Sequence, residues 1–298
     1  MWSFMTYKTK IILALLVLVA ATTWLAVYFY PEKRLHLIAC DVGQGDAILV
    51  TYGTTQILVD GGEGRDVLDC LSRYVPFWDR TIELVVLTHP QKDHFGGLID
   101  VFRRYKVGHF LANSLDSGSQ EYEVLKSVVG GGSTDVINPT SGMALGLGLI
   151  RLEIVWPTEE FSLANSRSTS GNVLGATTTT RDPNDFSIVT VLRLGEFDAL
   201  LTGDIGPKII DRILETGIIG DMEYIKIPHH GSKNGLTDNL LRFTDPEVAV
   251  ISVGEKNRYG HPHKEVLELL SDQDIKILRT DVEGDVIVVS DGERWWIE

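Results

Sequence analysis

The stretch Val85-Val-Leu-Thr-His-Pro-Gln-Lys-Asp-His-Phe-Gly-Gly97 restricts the fold more than any other part of the chain. The apolar run from Ile82 to Leu87 reads as a buried strand, and the return of helical spacing predicts a helix beginning near Gly96. The loop between them holds His89, Gln91, Asp93 and His94. Functional side chains concentrate on such loops, where a rigid scaffold positions them. Imidazole beside carboxylate suits a divalent ion with a preference for nitrogen and oxygen. One loop histidine carries little meaning. Two, with an aspartate immediately before the second and a buried strand behind them, make a ligand set.

The rest of the chain repeats the pattern of strand, polar loop and helix. Strands are predicted at 35–39, 47–50 and 56–60, separated by Gly-bearing turns. A helix follows at 66–74, then the motif strand, a helix over 98–105, a strand at 107–111 and a helix at 122–129. A strand is predicted at 149–156. Residues 159–185 are rich in Ser, Thr and Asn and read as a long irregular loop, either a mobile rim or a disordered insertion. A hairpin over 186–194 and 198–202 precedes a helix at 208–214. Strands at 222–227 and 248–253 then alternate with helices at 236–243 and 264–270. Strands at 275–278, 285–289 and 295–297 close the chain. This is an α/β sandwich of two sheets, one fed by each half of the chain. The sequence has no phosphate loop of the Walker kind, no dinucleotide fingerprint and no G-x-S-x-G elbow.

Several of these strand ends carry ligand chemistry: His89, Asp93 and His94 in the first half, and Asp204, His229 and His230 in the second. Asp204 ends an apolar strand and has two oxygens with which to bridge two ions. HPQKDH is similar to the HxHxDH signature of the metallo-β-lactamase superfamily. More narrowly, the chain resembles the C-terminal hydrolase domain of the ComEC family of competence proteins. Six stretches carry the resemblance, in the family's order: DVGQGD (41–46), ILVDGG (57–62), THPQKDHFGGL (88–98), LLTGDI (200–205), IPHHGSKNG (227–235) and ISVGEKNRYGHPH (251–263). The family's channel-forming membrane region is not present, so its channel role is not expected here.

The resemblance implies an αββα four-layer sandwich. It implies metal ligands at His89, Asp93, His94, Asp204 and one of His229 and His230. His229, directly after Pro228, is preferred, although spacing does not separate the pair. Asp41 and Asp60 are expected at the edge of the site, each accepting an imidazole N–H and fixing its tautomer. Gln91 stands in the place of the superfamily's middle histidine and offers only a neutral oxygen, a weak ligand. No histidine lies between His109 and His229, so Asn184, Asp185 or Ser187 fills the position of another. One metal position would then have His89, Asp204 and Gln91. The other would have Asp93, His94, Asp204 and a histidine, and would bind more tightly. The cofactor is one or two divalent ions, Zn or Mn.

The expected activity is metal-dependent hydrolysis of a phosphodiester, as a phosphodiesterase or nuclease, with single-stranded DNA as one substrate class. Asp93 would hold the attacking water as well as metal. Arg258, Tyr259 and His261 would bind or protonate phosphate oxygens, with Ser232 and Lys233 adding contacts. A plainer reading of His261-Pro262 is that it only starts the last long helix. Competing functions are hydrolysis of an envelope phosphodiester, cleavage of another ester, lactone or lactam, and a catalytically degenerate binding module.

The N-terminus has a separate character. Residues 11–30 are free of charge and long enough to cross a bilayer. Lys8 and Lys10 precede them, and Trp24, Tyr28, Phe29 and Tyr30 lie toward the far end like an interfacial belt. A cleaved signal peptide has an apolar core of only roughly 7–15 residues. The expected organisation is a cytoplasmic segment 1–10, a transmembrane anchor 11–30 and an extracytoplasmic hydrolase domain 32–298 on the cell membrane. That domain carries 25 basic and 41 acidic residues, net −16. Such an acidic surface argues against binding long nucleic acid over the whole face, but leaves room for a local basic rim. Cys40 and Cys70 have no metal-ligand spacing and read as small buried side chains. A disulfide between them is an open alternative.

Overall fold

The computed structural model describes residues 6–28, 31–168 and 173–298. Met1–Lys33 and Arg34–Glu298 are separate compact units. The first contains one helix, Tyr7–Tyr28, in which Tyr7–Leu25 is long and apolar enough to cross a membrane. The helix starts four residues earlier than the span read from the sequence. Residues 29 and 30 of that span lie outside the described residues.

In the second unit, two large sheets face one another among the described residues. The first has the spatial order Trp295–Ile297, Val286–Ser290, Leu35–Ala39, Ile48–Tyr52, Thr55–Val59, Thr81–Leu87, Lys106–Ala112 and Asp135–Ile137. The second runs Lys276–Arg279, Val248–Ile251, Tyr224–Lys226, Phe197–Leu201, Val189–Leu194, Ile150–Trp156 and Ala144–Leu147. The last two strands of the chain therefore return to the first sheet, where Val286–Ser290 pairs antiparallel with Leu35–Ala39. The expectation of one sheet per half of the chain is corrected on this point. Strand periodicity fixes which face is apolar, not which neighbour a strand chooses.

Alternation along each strand builds the layers. Leu35, Leu37 and Ala39 face Leu192, Ala199 and Val250 in the core between the sheets. Ile38 and Leu58 point the other way, onto Leu71 of helix Asp66–Tyr74, Val101 of Leu98–Arg104 and Leu125 of Gln120–Gly130. Val191 and Ile225 pack outward on Ile210 of Pro207–Thr216, Leu241 of Asp238–Thr244 and Leu270 of Lys264–Ser271. This is the expected αββα sandwich.

Two local readings change. The stretch 159–185 is not structureless. Helix Glu159–Asn165 is capped by Thr158, whose side chain accepts from the Phe161 N–H, and Arg167–Ser168 pairs with Thr177–Thr178. Residues 169–172 lie outside the described residues. Cys40 and Cys70 are joined in a disulfide rather than merely buried. The bond ties the end of the first strand to helix Asp66–Tyr74 and closes a loop with a sequence separation of 30. Closure of a loop that size restricts the unfolded chain by about 3.7 kcal/mol.

Candidate metal centre

The first half of the site is built where strands Thr55–Val59 and Thr81–Leu87 end. Asp60 has a left-handed backbone, φ 61°. Its Oδ1 accepts from the Thr88 N–H at 2.8 Å and its Oδ2 from the Thr88 hydroxyl at 2.7 Å. Oδ2 also meets His94 Nδ1 at 2.7 Å. His94 lies on the one-turn helix Lys92–Phe95, which the sequence reading placed in a loop. Phe95 anchors that turn: it is fully buried and edge-on to Tyr122, with centroids 5.0 Å apart. Truncating it to alanine would cost about 3–5 kcal/mol and loosen the ligands beside it. His89 Nδ1 is 3.1 Å from the Thr88 hydroxyl and 3.3 Å from the Ser187 hydroxyl.

The second half comes from the other sheet. Asp204 follows strand Phe197–Leu201, and its N–H donates to Ser187 Oγ at 3.2 Å. Gly203, with φ 55°, sits where a Cβ would fall 2.9 Å from Ser187 Cβ, so the turn that delivers Asp204 excludes a larger residue. His229 and His230 both have positive φ, 51° and 54°. That unfavourable backbone is held at the site and aims adjacent histidines apart. His230 is buried, its Nδ1 2.9 Å from Ser252 O and its Nε2 3.3 Å from Asp204 Oδ2.

All three buried imidazoles are therefore held from behind at Nδ1, which leaves Nε2 to face inward. The Nε2 atoms of His89, His94 and His230, with Asp204 Oδ1 and Asp46 Oδ1, are buried and find no hydrogen-bond partner among the described residues. His94 Nε2 and His230 Nε2 are each 3.3 Å from Asp204 Oδ2, and Asp93 Oδ2 is 3.7 Å from His230 Nε2. Nitrogen and oxygen ligands about 2.0–2.2 Å from a shared tetrahedral ion stand about 3.3 Å apart. Two overlapping triads, His89–His94–Asp204 and Asp93–His94–His230, bring their ligand atoms within 4.8 Å of one another. These residues fit a divalent metal.

Two residues of the centre had no assigned role in the sequence reading. Asp46 is buried beside His94, His230 and Lys226. Gly45 places it there, because a Cβ at Gly45 would stand 2.1 Å from the Asp93 carbonyl oxygen, which accepts from the Asp46 N–H. Lys226 is fully buried at the end of strand Tyr224–Lys226. It pairs with Asp46, donates to Gly203 O at 3.1 Å and lies 3.5 Å from Asp204 Oδ1. The available signal was a lysine inside the apolar run Tyr-Ile-Lys-Ile, since a lysine is almost never fully buried unless paired.

Electrostatics follow from this crowding. Four carboxyl groups, Asp46, Asp60, Asp93 and Asp204, face one fixed cation, Lys226. Burial works against a charged imidazole, yet Asp204 and Asp60 raise His94 well above the usual histidine value. Asp204 and Asp46 do the same for His230. Burial likewise opposes a charged Asp204, but His230, His94 and Lys226 hold it well below the carboxylate range. His89 behaves differently: burial, and then His94, push it down to about 3.

The remaining expected site residues are distributed unevenly. Gln91 turns its amide to Asn184, with Nε2 2.8 Å from Asn184 Oδ1, so Oε1 is the atom left for a cation. His230, rather than the preferred His229, is the imidazole that lies in the buried cluster beside Asp204. His229 is half-buried and faces His261, ring centroids 5.9 Å apart. Asp41 is corrected: it is exposed, and its carboxylate accepts from the Gly43 N–H within its own turn. Asp46 holds the place beside the imidazoles. His261 stacks on Tyr259 with ring centroids 5.6 Å apart, and burial, then His230, push it down to about 4. Ser232 is buried and accepts from the Asn234 N–H. Lys233, Arg258 and Tyr259 are exposed. Asn257 shapes the loop carrying Arg258 and Tyr259, donating to Gly254 O and His261 O at 2.8 Å each.

The fold and this ligand set define a metallo-β-lactamase-type domain. The sequence profile of the Metallo-beta-lactamase superfamily matches residues 40–255, and the chain belongs to that superfamily. Three curated relatives match most of this chain. It is 23% identical to ComE operon protein 3 of Bacillus subtilis over 90% of this chain and 35% of that protein. It is 27% identical to Recombination protein 2 of Haemophilus influenzae over 83% of this chain and 28% of that one. Competence protein ComA of Neisseria gonorrhoeae is 25% identical, over 85% and 32% respectively. The chain thus spans about a third of the length of these relatives. Among solved structures, the metallo-beta-lactamase fold protein YhfI from Bacillus subtilis aligns with a TM-score of 0.52 at 13% identity, covering 89% of this chain and 100% of that one. CmlA, a diiron beta-hydroxylase from Streptomyces venezuelae, aligns with the same TM-score at 15% identity over 90% of this chain and 55% of its own. Both establish the fold alone.

Proposed function

We propose that the protein is a membrane-anchored, metal-dependent phosphodiesterase acting on DNA or another phosphodiester, with its hydrolase domain outside the cytoplasmic membrane. The observation that carries this reading is the convergence of three buried Nε2 atoms on Asp204, each imidazole held from behind at Nδ1. DNA is the favoured substrate class because the relatives are named for competence and recombination. Lys8 and Lys10 ahead of the apolar helix favour a cytoplasmic N-terminus. The Cys40–Cys70 disulfide suits an oxidising compartment.

His94, His230, Asp204 and Asp93 would hold the principal ion, with His89 and Gln91 on its weaker flank. Zn and Mn both suit these donors. Bound there, the ion would supply Lewis acidity and a water acidified toward neutrality. Asp60 and Ser252 fix the His94 and His230 tautomers through Nδ1. Lys226 offsets part of the acidic charge and keeps Asp46 and Asp204 apart. Asp93 retains some exposure, its side chain 25% accessible, and would orient water and accept its proton. Arg258 and Lys233, on the exposed rim, would take the phosphate charge.

The test strips the full chain in detergent with chelator and reloads it with Mn²⁺ or Zn²⁺. Hydrolysis of bis-p-nitrophenyl phosphate and of single-stranded DNA should return with metal and be lost in Asp204→Ala. Folded protein that turns over neither substrate with any metal would overturn the reading.

A further inference from the structure

The end of the first sheet opposite the metal centre has its own chemistry. Strand register identifies that end. Leu35 pairs with Tyr52, Tyr52 with Thr55, and Thr81 with Lys106, while Thr55–Val59 runs parallel to Thr81–Leu87. The first residues of four strands therefore lie along one edge, and Asp60 and His89 follow the other ends. In the turn that leads into Thr81, Phe77 is 78% exposed and Trp78 49% exposed. Their rings meet edge to face, with centroids 4.9 Å apart.

Basic side chains surround this tip in a chain whose net charge is −14. Arg80 is exposed and its carbonyl accepts from the Lys106 N–H. Lys106 is exposed beside Tyr105, and Arg103 and Arg104 are exposed at the close of helix Leu98–Arg104. Acids on neighbouring elements are engaged: Asp79 accepts from the Thr81 N–H and Gln56 Nε2, Glu83 from the Gln56 N–H, and Asp100 from Arg65 and Arg103. Glu196, Asp291 and Glu293 occupy hairpin turns on the far side of the same edge, which confines the basic surface to the Phe77 corner.

We propose that this corner docks on the membrane surface, with Phe77 and Trp78 in the interfacial layer and Arg80, Arg103, Arg104 and Lys106 against anionic lipid headgroups. Amphipathic aromatic rings settle at that depth, and clustered basic residues are drawn to acidic leaflets. The proposal rests on the reading that Tyr7–Tyr28 spans the bilayer. Six residues separate Tyr28 from Leu35, and a chain of that length reaches at most about 20–25 Å. Leu35, where the first strand of the sandwich begins, belongs to the same edge as the Phe77 turn. Docking of this corner would leave the metal centre at the opposite edge of the same sheet.

The full chain is tested in phosphatidylcholine–phosphatidylglycerol vesicles, with an environment-sensitive fluorophore on Leu15→Cys, Phe77→Cys or Tyr259→Cys. Cys40 and Cys70 are paired and do not compete for label. Doxyl lipids should quench label at 15 and at 77 but not at 259, which lies on the metal-centre rim, and Arg80→Glu with Lys106→Glu should reduce quenching at 77 while leaving that at 15 unchanged. Quenching at 15 without quenching at 77 overturns the docking surface and leaves the anchor standing. Absence of quenching at both positions overturns both. Equal quenching at 77 and 259 overturns the proposed orientation.

Discussion

His94 stands between two unlike neighbours. Its ring centroid is 4.1 Å from that of His89 and 5.4 Å from that of His230. The His89 side is furnished with neutral groups: the Thr88 and Ser187 hydroxyls and the Gln91–Asn184 amide pair. The His230 side gathers Asp46, Asp93, Asp204 and Lys226 around one imidazole. Both sides present an unpartnered Nε2. Only the second concentrates the negative charge that attracts a divalent cation and keeps it. The difference teaches that ligand geometry is shared across the centre whereas electrostatic drive is not.

The largest disturbance of the comparison should come from Lys226. Lys226→Met leaves Asp46 and Asp204 buried without their cation, and breaking such a pair costs about 3–5 kcal/mol. Urea unfolding of chelator-treated protein should show that loss, and a change below 1 kcal/mol would mean that the lysine is not part of the charge balance. Next in size is the contrast between adjacent histidines. His230→Ala should weaken metal binding by more than about 10–100-fold, the loss typical when only an outer partner of a ligand is removed, with His229→Ala close to wild type. Competition with a metal-sensing dye measures both, and equal losses would erase the distinction.

A smaller effect is expected from pH. His94 and His230 are raised in the folded protein by their carboxylates, against burial. Their ion pairs therefore stabilise the fold fully below the ordinary histidine value of 6.5, and that contribution is lost as pH rises through the higher folded values. Chelator-treated protein should melt at lower temperature as pH increases from neutral into the alkaline range. Metal requires neutral imidazoles and should remove that fall. His89, already neutral above about 3, should contribute none of it, so a His89→Gln variant should keep the same pH slope. The smallest change is a gain on the weak side: Gln91→His should raise metal occupancy in equilibrium dialysis, at the expense of the Asn184 contact. Unchanged occupancy would show that the amide is not what limits that position.

What could be read from the sequence was the chemistry that is local. His89, Asp93 and His94 announce themselves within six residues, and the apolar runs before Asp204 and His230 mark the strands that deliver them. The αββα layering follows from alternation in strands and helical spacing between them. Contacts set by distant packing were not legible. Asp46 and Lys226 meet only because the two sheets face one another, and the return of Val286–Ser290 to Leu35 depends on a choice of edge that no local pattern encodes. The Cys40–Cys70 bond is of the same kind. His229 and His230 are neighbours of identical type, and the positive φ of both residues decides between them. Asp41 and Asp46 open and close the same block, where the turn at Gly43 and the close approach at Gly45 send one to solvent and the other inward.

Asp204 lies between both sides of the candidate metal centre, its Oδ2 3.3 Å from His94 Nε2 and from His230 Nε2. The most direct measurement is the metal content, by inductively coupled plasma mass spectrometry, of full chain dialysed against Mn²⁺ or Zn²⁺ beside Asp204→Ala, with circular dichroism confirming that both are folded. Wild type should retain stoichiometric metal and Asp204→Ala essentially none. A folded Asp204→Ala protein that retains as much metal as wild type would contradict the account.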